Sequence, residues 1–150
     1  MHTLLPLSFS NSFHMLQYET IPVTPFQQNC SVVWCDETMR GAIIDPGGDL
    51  DMLLISCKQL GVTLEQIWIT HAHIDHSGLL PKLKAGGFRG TIYATAATAD
   101  LCAVMLPDSG HVQEMEVSQL NRRNRHRGRA PVRPIYTAAD GAEAIAAFRA

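Results

Sequence analysis

The sequence predicts an α/β fold with a mixed sheet, and three observations carry that expectation. The β-rich runs YETIPV, CSVVWC and GAIIDPGG follow one another, separated by QQN and DETMR turns, as in an antiparallel meander. Helical and extended segments then alternate in αβαβ order. The last third is mostly helical in pattern, and no internal repeat is visible. A chain of 150 residues, 46% hydrophobic and 17% charged with a formal net charge of −2, is long enough to bury one core. Ordinary apolar content without low-complexity tracts excludes collagen-like, coiled-coil and disordered chains. No apolar run reaches the roughly 18 residues of a membrane span, so no membrane partner is expected.

Residues 1–14 have no clean periodicity, and Met15 is itself a possible start, so 1–14 reads as a flexible leader before a single domain over 15–150. The leader lacks the basic stretch and small-residue cleavage site of a signal peptide. After the three meander strands, Asp49 is placed to cap a helix over DLDMLLISCKQLG. Leu50, Leu53, Leu54, Cys57 and Leu60 form its apolar stripe, and Gly61 its stop. EQIWIT is the next strand, ending at Thr70, and HAHIDHSG follows. SGLLPKLKAGG reads as a short helix and TIYAT as a strand. TAATADLCAVML reads as a helix entered through Thr95 or Thr98. DSGHVQEMEVSQLNRRNRHRG has the pattern of one long polar helix, with His111 at the turn into it. PVRPIY is extended because of its prolines, and DGAEAIAAFRA ends the chain as an alanine-rich helix.

Charge is unevenly spread. Residues 1–121 carry 5 basic and 12 acidic side chains, whereas 122–150 carry 7 and 2, with six arginines between Arg122 and Arg133. Cys30, Cys35, Cys57 and Cys102 form no CxxC pair and sit among apolar neighbours. They read as core thiols in a reducing cytoplasm, with a Cys30–Cys35 bridge as the rival reading.

The chemistry-bearing constellation is His71, His73, Asp75 and His76, within six residues directly after a hydrophobic strand. Positions i and i+2 of an extended segment point to one side, so His71 and His73 converge on one ion, and Asp75 and His76 approach the same pocket from the following turn. Three imidazoles and a carboxylate suit zinc, or iron or manganese with more carboxylate help. The plainer alternative is a loop whose histidines only hydrogen-bond. A Walker loop, a GxSxG elbow and a Rossmann glycine fingerprint are all absent.

The run His71-Ala72-His73-Ile74-Asp75-His76 resembles the HxHxDH signature of the metallo-β-lactamase superfamily. The stretch from YETIPV through THAHIDH is similar to the glyoxalase II-like hydrolases. The stretch from THAHIDHSGLLPKLKAGG to PDSGHVQE is similar to the β-CASP RNA-processing nucleases. The two likenesses meet at the motif, which marks the chain as a chimera. The resemblance implies about half of a metallo-β-lactamase-like αβ sandwich, with a mostly helical C-terminal tail. It further implies one or two zinc ions, the first held by His71 and His73 and the second by Asp75 and His76. Asp45 in IIDPGG matches the family's buried aspartate beneath the site, which orients ligands; the alternative is a turn former before Pro46.

Complete members supply further ligands from a later half that has no counterpart here. Candidates to complete the shell are His111, the first choice, with Asp108, Glu114, Glu116, His126 and His14 behind it; a solvated helix residue is the plain alternative for His111. Arg122, Arg123 and Arg125 are the candidate phosphate-binding residues, against a solvated helix end, since no aromatic residue interleaves them for base stacking.

The expected activity is that of a metal-dependent hydrolase in which a divalent ion lowers the pKa of its water, so that hydroxide attacks phosphorus or a carbonyl. Asp75 ligates the ion or orients that water, and leaving-group protonation has no clear owner. Phosphodiesters, nucleotide or RNA-like, are the favoured substrates. A glyoxalase II-like thioesterase is the runner-up, and a non-catalytic metal-binding or structural fragment is the alternative from another class. Half a sandwich leaves one sheet face uncovered, so the chain is expected to form a homo-oligomer, most simply a two-fold dimer in which the C-terminal helices cross over to the neighbour.

Overall fold

In the computed structural model, residues 14–150 are described. The reading of 1–14 as a leader lies outside the described residues except for His14, whose imidazole pairs with Glu37 at 3.1 Å. The chain runs β1 (Leu16–Val23), β2 (Gln28–Cys35), β3 (Arg40–Ile44), α1 (Leu50–Leu60), β4 (Thr63–Trp68), α2 (Ile74–Ser77), α3 (Leu80–Ala85), β5 (Thr91–Tyr93), α4 (Ala96–His126), α5 (Ala138–Ile145) and β6 (Phe148–Arg149). The strands form one sheet in sequence order, antiparallel from β1 to β3 and parallel from β3 to β6. This is the expected α/β architecture with a mixed sheet. Among the described residues no helix is long and apolar enough to cross a membrane.

Parallel neighbours added in one direction through right-handed crossovers put every connecting helix on the same face of the sheet. The core follows that rule. Ile21, Val23, Cys30, Val32 and Ile43 of the sheet pack with Leu53 and Cys57 of α1. Ile67, Ile92 and Phe148 pack with Leu80, Leu83, Cys102 and Leu106. Period-two alternation sends the other residues to the opposite face, where the row Thr20, Ser31, Ile44, Trp68, Tyr93 and Arg149 crosses all six strands. Tyr18 (74%), Trp68 (39%) and Tyr93 (43%) are exposed there. Among the described residues this face carries exposed aromatic side chains, although Val33 and Ala42 on it are buried. The α1 stripe plays no part in it, because Leu50, Leu53 and Cys57 are buried against the sheet's other side. The same alternation separates Cys30 from Cys35, five residues apart on one strand, and all four cysteines are free.

Three local expectations need correction. Asp49 precedes α1 but makes no side-chain cap; it is left-handed (φ 45°), and its carboxylate accepts the Thr24 N–H at 2.7 Å, tying α1 to β1. The TAATADLCAVML and DSGHVQE segments are one helix, α4, continuous through Pro107, so His111 lies mid-helix. Tertiary packing offsets the proline: Thr98, Cys102, Leu106 and Gly110 make a buried stripe, and α5 closes on it through two glycines. A Cβ on Gly110 would come within 2.5 Å of the Thr137 carbonyl, and one on Gly141 within 2.8 Å of that of Leu106. Finally, the alanine-rich helix stops at Ile145 and the last residues form β6 beside β5, with Phe148 buried in the core. The C-terminal helices thus pack on their own sheet.

Candidate metal centre

Asp45 and Thr70 are brought side by side by the parallel pairing of β3 and β4. The Asp45 N–H donates to the Trp68 carbonyl at 3.0 Å, which carries the pairing past the end of β3 and turns the aspartate inward. The turn needs a left-handed residue (φ 52° at Asp45), a conformation aspartate tolerates better than most. The Asp45 side chain is buried, and its two oxygens accept the Thr70 N–H (2.8 Å) and the Thr70 hydroxyl (2.6 Å). Gly47 lets the IDPGG turn lie against the start of α2, since a Cβ there would meet the Asp75 carbonyl oxygen at 1.4 Å. Ser77 is buried and donates to the carbonyls of Ala72 and His73 at 3.1 Å each, fastening the motif loop to its helix.

This scaffold sets the orientation of two imidazoles. Thr70 Oγ1 spends its proton on Asp45, so at 2.8 Å it accepts from His71 Nδ1–H. Asp45 Oδ2 lies 3.2 Å from His76 Nδ1, and a buried carboxylate beside that nitrogen requires it to carry its proton. Both rings are therefore held as Nδ1–H tautomers with the Nε2 lone pair free, by one acid acting directly on His76 and through a hydroxyl on His71. Gln28 reaches in from β2, its Nε2 donating to the Asp45 carbonyl at 3.1 Å; it also lies 3.2 Å from His76 Nδ1, a contact that is no hydrogen bond while that nitrogen donates to Asp45. The ring of His71 stands 4.0 Å from that of His76 and 4.7 Å, edge on, from that of His73. Asp75 is on the rim, 47% exposed, with Oδ2 3.6 Å from His76 Nε2.

The donor set fits a divalent ion. Ligands about 2.1 Å from one tetrahedral ion are about 3.4 Å apart. One ligand atom from each of Asp45, His71 and His76 already lies within 4.8 Å of the others, before any ion draws them in. Among the described residues that group is Asp45, His71 and His76; His73 and Asp75, both exposed, stand beside it and are not part of it. Thr70 and Gln28 escaped the sequence reading. Thr70 is the residue just before the motif, which is a signal; Gln28 is 48 positions from His76 and carries none.

The remaining candidates are elsewhere. Cys102 of α4 hydrogen-bonds Ser77 beside the motif, and at a rise of about 1.5 Å per residue His111 lies about 14 Å and Arg122 about 30 Å further along the helix. His111, Asp108, Glu116 and His126 are exposed on that helix. Glu114 accepts the Ala138 N–H at 3.1 Å and holds the start of α5. Arg122, Arg123 and Arg125 occupy the last turns of α4 and are exposed.

Residues 23–100 match the sequence profile of the metallo-beta-lactamase superfamily. The chain belongs to this superfamily. Its curated relatives include hydroxyacylglutathione hydrolase GloC of Haemophilus influenzae, 46% identical over 69 residues, which cover 46% of this chain and 32% of that protein. They also include a ribonuclease of Thermus thermophilus, 45% identical over 51 residues, which cover 34% of this chain and 12% of that protein. The chain thus spans about a third or less of these two relatives. Among solved structures, a crystal structure of the BLEG-1 B3 metallo-beta-lactamase aligns at 30% identity with a TM-score of 0.49, covering 81% of this chain and 49% of that one. The profile match together with the mixed sheet bears out the expected metallo-β-lactamase-like fold.

Proposed function

We propose that this chain is a metal-dependent hydrolase whose substrates are phosphodiesters. The observation that carries the reading is the pair of imidazoles held through their Nδ1 atoms by Asp45 and Thr70, with ligand atoms of Asp45, His71 and His76 within 4.8 Å of one another. A bound divalent ion, zinc by the preference of imidazole donors with iron or manganese as substitutes, supplies Lewis acidity there. His71, His73 and His76 bind it, and Asp45 keeps the Nδ1 protons in place. Asp75, at the solvent edge beside His76 Nε2, accepts a proton from an approaching water. His73, Ile74 and Asp75 are exposed, so the rim admits a group within a longer polymer. The ribonuclease relative supports a phosphodiester, and the GloC relative supports a thioester as the second reading.

Purified protein is assayed on bis-p-nitrophenyl phosphate and on a hydroxyacyl thioester, with metal per chain measured in parallel. Turnover of the phosphate ester above that of the His71→Ala/His73→Ala variant is expected. Equal activity of the two proteins defeats the enzyme reading, and bound metal without turnover of either ester makes the chain a metal-binding fragment. A second copy of the chain on the sheet face opposite the helices belongs to the same proposal, supported by the exposed Tyr18, Trp68 and Tyr93. Light scattering is expected to give a dimer that Trp68→Glu dissociates; a monomer at micromolar concentration with full metal content defeats it.

A further inference from the structure

The far end of α4 holds a second concentration of chemistry, remote from the imidazoles. Arg122, Arg123, Arg125, Arg127, Arg129 and Arg133 are all exposed, no acidic residue stands between positions 117 and 139, and among the described residues none of the six forms an ion pair. Favourable interaction with the helix dipole accounts for cations in the last turn of α4. It does not account for Arg129 and Arg133, which lie on the segment that returns along the helix.

That segment is held in place. Asn121 clasps Val132 with two hydrogen bonds of 2.9 Å, one to the carbonyl and one from the N–H. Asn124, buried, donates to the Ala130 carbonyl at 3.2 Å, and Gln113 accepts from the Ile135 N–H at 3.1 Å. These side-chain amides bind the returning backbone to the helix and bring Arg129 opposite Arg125. Between them is a cleft of about 330 Å³ lined by Ser118, Asn121, Arg125, Arg129 and Pro131. Like charges gathered on a braced hairpin repel one another, and an anion in the cleft relieves that repulsion. All six cations are arginines, whose planar forks bind phosphate oxygens in pairs. The large apolar side chains exposed nearby are Leu120, Val132 and Ile135, none aromatic, so the cleft has nothing on which to stack a base.

We propose that this cleft is a phosphate-binding site for the backbone of single-stranded nucleic acid. Arg125 and Arg129 grip one or two phosphates, Ser118 donates its hydroxyl, and Arg122, Arg123 and Arg133 extend the positive track. The site reads no sequence, and Arg125 lies about 34 Å along α4 from Cys102, the residue that adjoins the motif. It does not depend on the hydrolase reading.

The test uses the full-length chain carrying His71→Ala/His73→Ala, in EDTA, with fluorescein-labelled 20-nucleotide RNAs, one of mixed sequence and one of uridines. Equal affinity for both and a steep salt dependence are expected. Arg125→Ala/Arg129→Ala weakens binding at least about tenfold at low salt and lowers the slope of log K against log salt by about 1.4, the share of two phosphates on a single strand. Asn121→Ala, which removes no charge, weakens binding through loss of the clasp, with circular dichroism verifying that α4 is intact. Unchanged affinity and slope in the double arginine variant overturn the proposal. Binding to polyglutamate or to phosphatidylserine vesicles as tight as to RNA, and equally sensitive to that variant, overturns the assignment to nucleic acid.

Discussion

Around Asp45, both carboxylate oxygens and the Nδ1 atoms of His71 and His76 are claimed by neighbours; on the last turns of α4 and the segment after it, six guanidinium groups form no ion pair among the described residues. The imidazole centre is assembled from β2, β3 and the β4–α2 connection by backbone pairing, and its functional atoms are the ones left over after Thr70 and Asp45 have claimed the others. The arginine run is contiguous in sequence and depends on Asn121 and Asn124 for its shape. A buried acid in a low-dielectric setting orients its neighbours strongly because no water competes for them. Exposed charges work by number and stay sensitive to salt. The first region is expected to fail at a single substitution, the second only by degrees.

The largest effect separates the two regions outright. His71→Ala/His73→Ala is expected to lose at least one metal ion per chain by elemental analysis while leaving thermal unfolding of the metal-free protein within about 1 kcal/mol, as for exposed or half-exposed side chains. Unchanged stoichiometry would break the site assignment.

Asp45→Asn sharpens the contrast. An amide cannot accept from Thr70 with both of its polar atoms, so the fixed tautomers are lost. Metal affinity is expected to fall about 10- to 100-fold by competition with a chelator, with a stability loss of about 2 kcal/mol. An affinity equal to that of the unsubstituted chain would show that Asp45 only shapes the turn.

Thr137→Ala probes the root of the α4 arm, where Thr137 and Asp140 form a reciprocal cap on α5. A cost of about 1 kcal/mol is expected in denaturant titrations. The Thr137 N–H and hydroxyl donate to Asp140 and hold its carboxyl below the usual carboxylate range. The carboxylate's share of the cap is therefore complete above the unfolded carboxyl's value, about pH 4, and is lost as the pH falls through the lower folded value. A difference between the two proteins that persists undiminished at still lower pH would contradict this.

The smallest effect concerns the two sheet faces. Donation from the Thr38 N–H, with further help from its hydroxyl and the Glu37 N–H, lowers the pKa of the Cys35 thiol. Burial, with the Asp45 charge and Cys57 adding to it, pushes that of Cys30 up to about 12. Iodoacetamide near neutral pH is expected to alkylate Cys35 first and Cys30 only on unfolding, as peptide mapping would show, with no change in stability. Labelling of Cys30 at the rate of Cys35 would mean that the covered face opens to solvent.

Much of this protein was legible in the order of its residues. The meander, the α1 stripe ending at Gly61, the motif at the end of β4 and the arginine run are local patterns, set by alternation, by helical periodicity and by residue types crowded within a few positions. The continuity of α4 through Pro107 was not legible, because a proline's local cost is outweighed only by packing of Gly110 against Thr137 and of Leu106 against Gly141, residues far apart in the sequence. Nor was the strand at Phe148, which exists because β5 offers an edge and the core offers the ring a place. Asp49 was legible as a helix start but not as the acceptor of the Thr24 N–H. Gln28 beside His76, and the choice of Nδ1 as the protonated nitrogen on His71 and His76, rest on contacts between segments distant in the sequence. Residue order sets which groups a segment carries; only the folded chain decides which atoms of those groups stay free, because each hydrogen bond that claims a nitrogen or an oxygen comes from somewhere else in the sequence.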